Sequence, residues 1–264
     1  MKKLSAVYFS GTGNTAYAVN KFCSHFKIAG IDCKVFNIEE FDKVESQKFN
    51  ADTVLVAYPI YGSDMPRIMK DFILNNPEVF QGRDLITLAS QHSFSGDGGA
   101  LAANLIKYKK AHAASIHINL PSNIADAAKL IKIKNGDKIN KKLIKADRKI
   151  KRLTSEIVNG KIVKEGTSLF SRFAGFFVQR LWFKYFIEKR LRKGLKIDGD
   201  ICSYCGKCSA CCPMGNINIS HGNINANDNC TLCYRCINLC PKKAISLISK
   251  NKPLEQYKGI EKND

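Results

Sequence analysis

The 264-residue chain contains no apolar run approaching the ~18 residues that a helix needs to span a bilayer. It holds a single tryptophan. Acids are scarce: 23 aspartates and glutamates stand against 42 lysines and arginines, a formal net charge of +19. Cysteine is missing from the whole stretch between Cys33 and Cys202. The opening, MKKLSAVYFSGTGNT, has two lysines and a brief apolar run but lacks the longer apolar region and small-residue cleavage site of an export signal. It reads as a buried first strand, and the expectation is a cytoplasmic protein. Bulk disorder is excluded by a hydrophobic content of 45%, and the length suits two domains.

The charge is uneven. Residues 1–126 hold 13 basic and 12 acidic residues, whereas residues 127–200 hold 21 and 7 and so carry +14 of the total. The first half alternates strand and helix patterns. LSAVYFS (4–10), DCKVFNI (32–38), DTVLVAYP (52–59), DLITLAS (84–90) and ASIHINLP (114–121) read as strands. Helical spacing lies between them at 14–29, 66–76 and 98–111, and a lysine-rich helix covers about 136–158. Five strands joined by helices predict an α/β fold with a parallel sheet covered on both faces, in the order 2-1-3-4-5, over residues 1–160.

Residues 168–195, SLFSRFAGFFVQRLWFKYFIEKRLRKGL, are aromatic on nearly every side of a 3.6-residue wheel. That distribution favours packing between domains or against a second copy of the chain, a homodimer, over peripheral contact with a membrane surface. The basic stretch contains no nucleic-acid recognition module, so nucleic acid is not expected as a partner. Its lysines read as a solvated face, suited to steering an acidic redox protein.

Nine of the 11 cysteines fall between Cys202 and Cys240. CSYCGKCSACCP (202–213) and CTLCYRCINLCP (230–241) both contain C-x2-C-x2-C-x3-C-P, and every cysteine of the second lies 28 residues after its counterpart. Zinc knuckles explain paired C-x2-C but not two triplets each followed by Cys-Pro at a fixed offset. The spacing suits two cubane clusters, three thiolates wrapping one corner and the fourth leaving for the opposite cluster. One set is Cys202, Cys205, Cys208 and Cys240; the other is Cys230, Cys233, Cys236 and Cys212. Cys211, Cys23 and Cys33 read as small buried side chains. The region 198–250 resembles bacterial-type ferredoxins with two [4Fe–4S] clusters. That resemblance implies one-electron transfer at low potential, with INISHGNINAN as a hairpin between the halves. A charged tail follows from 251.

SGTGNT (10–15) joins the first strand to the first helix. It formally matches the dinucleotide fingerprint, but no acid is well placed for a ribose, and no Gly-Lys-Ser/Thr ending reaches further phosphates. Ser10, Gly11, Thr12, Gly13, Asn14 and Thr15 offer hydroxyls, amides and a helix N-terminus to a single phosphate. Two later loops point to the same end of the sheet: Pro59, Ile60, Tyr61 and Gly62, and Ser93, Phe94, Ser95 and Gly96. Tyr61 is placed to flank a flavin ring. With these loops, residues 1–160 resemble flavodoxins. The resemblance implies FMN, and it implies that the Gly62 peptide hydrogen-bonds the reduced flavin. Flavodoxins are strongly acidic and this half is nearly neutral. The whole chain resembles flavodoxin–ferredoxin fusion proteins of anaerobic microbes. The expectation is an electron carrier linking FMN, two [4Fe–4S] clusters and a redox partner. The alternatives are a ferredoxin with a flavin-free docking domain, and a reductase acting on a small substrate at the flavin. No acid–base catalytic set is evident, and His92 reads as a solvent-facing loop residue.

Overall fold

A computed structural model describes residues 1–41, 49–127, 133–220, 223–249 and 252–260. The sheet strands are β1 (Lys3–Tyr8), β2 (Asp32–Asn37), β3 (Thr53–Pro59), β4 (Asp84–Gln91), β5 (Ala111–Asn119) and β6 (Val163–Lys164). All pair in parallel, in the order β2-β1-β3-β4-β5-β6. This is the flavodoxin-like order with one short strand added: Val163 pairs beside Ala114, where the chain leaves the long basic helix and crosses the sheet edge.

Alternation along the central strands divides the core. Leu55 and Ala57 face one side with Ala18, Phe22, Phe26, Ile150 and Leu153; these come from α1 (Asn14–Ile28) and the basic helix α4 (Asp137–Val158). Val54, Val56 and Tyr58 face the other side with Met69 and Phe72 of α2 (Arg67–Asn75) and Ala102 and Ala103 of α3 (Leu101–Leu105). The helix expected over 98–111 is thus shorter. Ile106 turns extended, and Lys110 donates instead to the Arg83 carbonyl (2.8 Å), so β5 begins at residue 111. Cys23 of α1 and Cys33 of β2, expected as isolated buried thiols, are joined as a disulfide with a Cα–Cα separation of 5.7 Å.

Residues 169–192 form one helix, α5, capped by Ser168, whose hydroxyl accepts from the Ser171 amide at 3.1 Å. Over Ala174–Leu181 and Phe183–Glu188 its bonds run i→i+5, so its turns are wider than the 3.6 residues of an α-helix. The wide turns stack Gly175, Gln179 and Phe183 on one face. Gly175 lies against Gly96 so closely that a Cβ on either glycine would strike the other's backbone or Asp97. Gln179 bonds Ser63, Arg180 pairs with Asp97, and Phe183 lies over Gly62. The opposite face stays exposed. The helix is therefore packed on one side only and not all round, because a 3.6-residue wheel does not describe its period.

The cysteine region has two halves. α6 (Lys207–Ala210) and α7 (Arg235–Leu239) follow equivalent positions of the two triplets. β8 (Ile217–Ser220) and β9 (Asn223–Ala226) pair antiparallel as the expected hairpin strands, and residues 221–222 between them lie outside the described residues. β7 (Lys196–Ile197) pairs with β10 (Ile245–Ser246) and ties the two ends of the region together. The expected charged tail packs back over residues 252–260: Tyr257 is buried, and Gln256 donates to the carbonyls of Ile237 and Cys240, each at 2.7 Å. Residues 251 and 261–264 lie outside the described residues. No described helix is long and apolar enough to cross a membrane.

Candidate cofactor sites

The 28-residue repeat is a repeat of conformation as well as of sequence. Left-handed backbone recurs at Tyr204 and Leu232, at Gly206 and Tyr234, and at Gly215 and Lys243, each pair 28 apart. Such a backbone is costly for a tyrosine, leucine or lysine unless the surroundings hold it. Here it turns amides onto sulfur. Tyr204 N–H points at Cys202 Sγ (3.4 Å), and Leu232 N–H at Cys230 Sγ (3.4 Å). Asn216 N–H points at Cys212 Sγ (3.2 Å), and Ala244 N–H at Cys240 Sγ (3.3 Å). Amides aimed at sulfur favour the thiolate, the form that binds iron.

Two cavities lie in this region, each walled by cysteines of both halves. One of about 320 Å³ is walled by Cys202, Cys205, Cys208 and Cys240. The other, about 380 Å³, is walled by Cys212, Cys230, Cys233 and Cys236. Four cysteines apiece fit two like groups. Cys211 borders neither cavity; its thiol donates to the Cys208 carbonyl at 3.5 Å. Burial pushes the Cys233 thiol up to about 12, and those of Cys230 and Cys236 upward too. Without a compensating cation these sulfurs would stay protonated.

The third cavity, about 780 Å³, sits at the carboxyl ends of β1, β3 and β4. Ser10, Gly11, Thr12, Asn14 and Thr15 form its floor, and Pro59, Ile60, Tyr61 and Gly62 form one wall. Ser10 Oγ accepts from the amides of Gly13 (3.1 Å) and Ala16 (3.3 Å), which leaves its own hydrogen to donate. Thr12 Oγ1 accepts from Asn123 Nδ2 at 3.0 Å and likewise keeps a hydrogen. Gly13, at φ 94°, makes the left-handed step into α1. The chain around Gly62 and Ser63 turns with φ positive at both, closed by a mutual backbone pair between Tyr61 and Asp64 (3.0 and 3.1 Å). The Tyr61 hydroxyl is buried with no hydrogen-bond partner among the described residues, and burial holds it protonated.

Ser93, Phe94, Ser95 and Gly96 do not line this cavity. Ser95 is buried against Gln91, Phe94 is exposed, and Gly96 receives α5. The lining from that side is Ser90, Gln91 and His92, with Pro121, Ser122 and Asn123 from the loop after β5. Further lining comes from beyond the α/β domain: Phe183 and Leu191 of α5, and Leu232, Tyr234, Leu247 and Ile248 of the cysteine region. No local pattern marks these residues, because tertiary docking alone brings them in.

The docking is intimate. A Cβ on Gly11 would lie 2.6 Å from both the Cys233 carbonyl oxygen and the Tyr61 hydroxyl, so only glycine fits. Arg235 donates to the carbonyls of Ser10 (2.8 Å), Gly11 (2.9 Å) and Cys211 (3.1 Å), and pairs with both Glu39 oxygens (2.6 and 2.7 Å). Asp126 accepts the amides of Leu247, Ile248 and Ser249 on one oxygen. Asn123 Nδ2 also donates to the Cys233 carbonyl at 3.2 Å. No local sequence signal marks Arg235, since a second cation, Lys207, occupies the equivalent place in the first half.

A family model described as a 4Fe-4S dicluster domain matches residues 194–241. A stretch matching a 4Fe–4S dicluster model thus follows an α/β domain with the flavodoxin-like strand order. No curated protein matches it. Similar solved structures include a flavodoxin from the domain Archaea, 18% identical, covering 59% of this chain and 98% of its own, with a TM-score of 0.41. Flavodoxin 1 from Bacillus cereus is 15% identical over 60% of this chain and 98% of its own, with a TM-score of 0.42. A flavodiiron protein from Giardia intestinalis is 14% identical over 61% of this chain and 37% of its own, with a TM-score of 0.39. At these identities and scores the reading of the sites rests on their own geometry.

Proposed function

We propose that the chain is an electron-transfer iron–sulfur flavoprotein. FMN occupies the 780 Å³ cavity, two [4Fe–4S] clusters occupy the cysteine-walled cavities, and electrons pass between these groups and a redox partner. One observation carries the reading: the eight cysteines divide into two cages of four, and one cage abuts the loop that would hold the flavin phosphate. A flavin supplies one- or two-electron chemistry, and each cubane cluster supplies one electron at a time.

The chain's own groups supply position and electrostatics. The hydroxyls of Ser10 and Thr12 and the first amides of α1 hold a phosphate without a lysine. Ile60 and Tyr61 wall an apolar ring, and Leu232 and Leu247 close the cavity from the cluster side, keeping water from the path. The repeated amide-to-sulfur bonds stabilise the anionic sulfurs. Anaerobic purification, acid release and quantification of flavin and iron test the reading. About one FMN and about eight irons per chain are expected, as two cubane clusters require. Iron without flavin, after FMN has been offered, would leave a ferredoxin with a docking domain.

A second reading, a reductase for a small anionic substrate, draws on a recess beside the flavin cavity. Lys134, Lys141, Lys142 and Lys145 line it, and it shares His92, Pro121 and Ser122 with that cavity. Lys142 donates to the His92 carbonyl (2.7 Å) and is held down to about 8 by burial and by Lys134. Turnover of anionic acceptors with a chemical reductant, lost on Lys142→Glu, would select this reading.

A further inference from the structure

The outer face of α5 has no counterpart in the electron path. Eight apolar side chains from Leu169 to Phe186 are 42–84% exposed there, including Phe170, Phe173, Phe177, Trp182, Tyr185 and Phe186. Contiguous exposure of this kind marks a surface built to be covered. Residues 169–193, the helix and its C-cap Lys193, carry seven cations and a single acid, Glu188. Arg180, Arg192 and Lys193 are paired, with Asp97, Glu188 and Asp228 respectively. Arg172, Lys184, Lys189 and Arg190 have no ion pair among the described residues.

We propose that this face docks on the surface of an anionic lipid bilayer. Phenylalanine, tryptophan and tyrosine mixed with free lysine and arginine is the composition that settles at a headgroup boundary, aromatic bodies inserted and cations against lipid phosphates. Charge argues against a second copy as the occupant. Two such faces would bring eight unpaired cations together on chains that each carry +19. No described helix is long and apolar enough to cross a membrane, and the attachment proposed is peripheral. The inner face of the same helix lays Phe183 over Gly62 and sends Leu191 into the flavin cavity. Docking therefore holds that cavity close to the membrane surface.

Trp182 lies on this face and is the only tryptophan, which makes the test direct. Full-length protein with its cofactors loaded is mixed with vesicles of phosphatidylcholine alone and of phosphatidylcholine with phosphatidylglycerol. Co-sedimentation should require phosphatidylglycerol and weaken as salt rises. Trp182 emission should shift to shorter wavelength and be quenched by brominated acyl chains. The variant Phe177→Glu/Phe186→Glu should bind on the order of 10-fold or more weakly, with flavin and iron content unchanged. Absence of binding would overturn the proposal. So would binding that leaves Trp182 emission unmoved, or a dimer in solution that buries Trp182. Because cofactor content is measured on the same samples, failure of docking and failure of the electron-transfer reading are told apart.

Discussion

Cys212 lines the cavity of Cys230, Cys233 and Cys236 with the Asn216 amide on its sulfur, while Cys211 points at the Cys208 carbonyl. Cys211→Ser is accordingly expected to keep about eight irons, and Cys212→Ser to lose about four, on chemical assay of iron and by Mössbauer spectroscopy. Spacing and the following proline favour the same cysteine, Cys212, that lines this cavity. The same scale also holds an effect that no spacing reveals. His117 Nε2 accepts from the Gly99 amide at 2.7 Å, with Glu165 on its backbone amide and Lys149 and Asp97 nearby. Burial, opposed in part by Glu165 and reinforced by Lys149, lowers its pKa below the ordinary 6.5; His92 and His112 shift the same way. The folded state therefore binds fewer protons than the unfolded chain. Stability is full above about pH 6.5 and falls as the pH drops from there towards the lowered folded values. His117→Gln retains an acceptor that does not titrate. It should flatten part of the fall in Tm between about pH 7 and about pH 5.

At the scale of elements, the α/β alternation was legible because continuous apolar runs are what a parallel strand buried on both faces needs. β6 was not legible. Two residues carry no pattern, and their pairing depends on where α4 delivers the chain. α5 shows a different limit. Its residues were read on a wheel of 3.6, which scattered the aromatics all round, whereas i→i+5 turns sort them into a packed face and an exposed one. The packed face turns on the contact between Gly175 and Gly96, where any Cβ meets Asp97 or backbone. Gly175→Val should lift the helix, destabilise the fold by about 1–3 kcal/mol and draw Phe183 off Gly62. The measurable results are a lower Tm and weaker retention of FMN in a dilution assay. Phe173→Val, on the exposed face, should change neither. An unaltered flavin affinity in Gly175→Val would mean that α5 does not help to close the cavity.

In the whole molecule the two cages are not equivalent. The cage of Cys212, Cys230, Cys233 and Cys236, the inner one, shares Tyr234 and Leu247 with the cavity proposed for the flavin, and Cys233 touches Gly11. The cage of Cys202, Cys205, Cys208 and Cys240 lies beyond it and opens at the exposed residues Tyr204 and Cys205. On the proposed reading, the order along the path is flavin, inner cage, outer cage, partner. Spacing suggests the cysteine sets but leaves open which set lies nearer the α/β domain, because that depends on Arg235, Asp126 and Asn123 clamping one half of the cysteine region onto it. Cys205→Ser disturbs only the outer cage. It should retain FMN and about four irons, and still show transfer from light-reduced flavin to one cluster by electron paramagnetic resonance. Reduction of an external protein acceptor should slow by about 10-fold or more, because the exposed exit is gone. Cys233→Ser removes the inner cage and should cut off both the outer cluster and the acceptor from the flavin. If Cys205→Ser instead reduces the acceptor at the original rate, the exit lies at the flavin, and the outer cage serves as entry or storage.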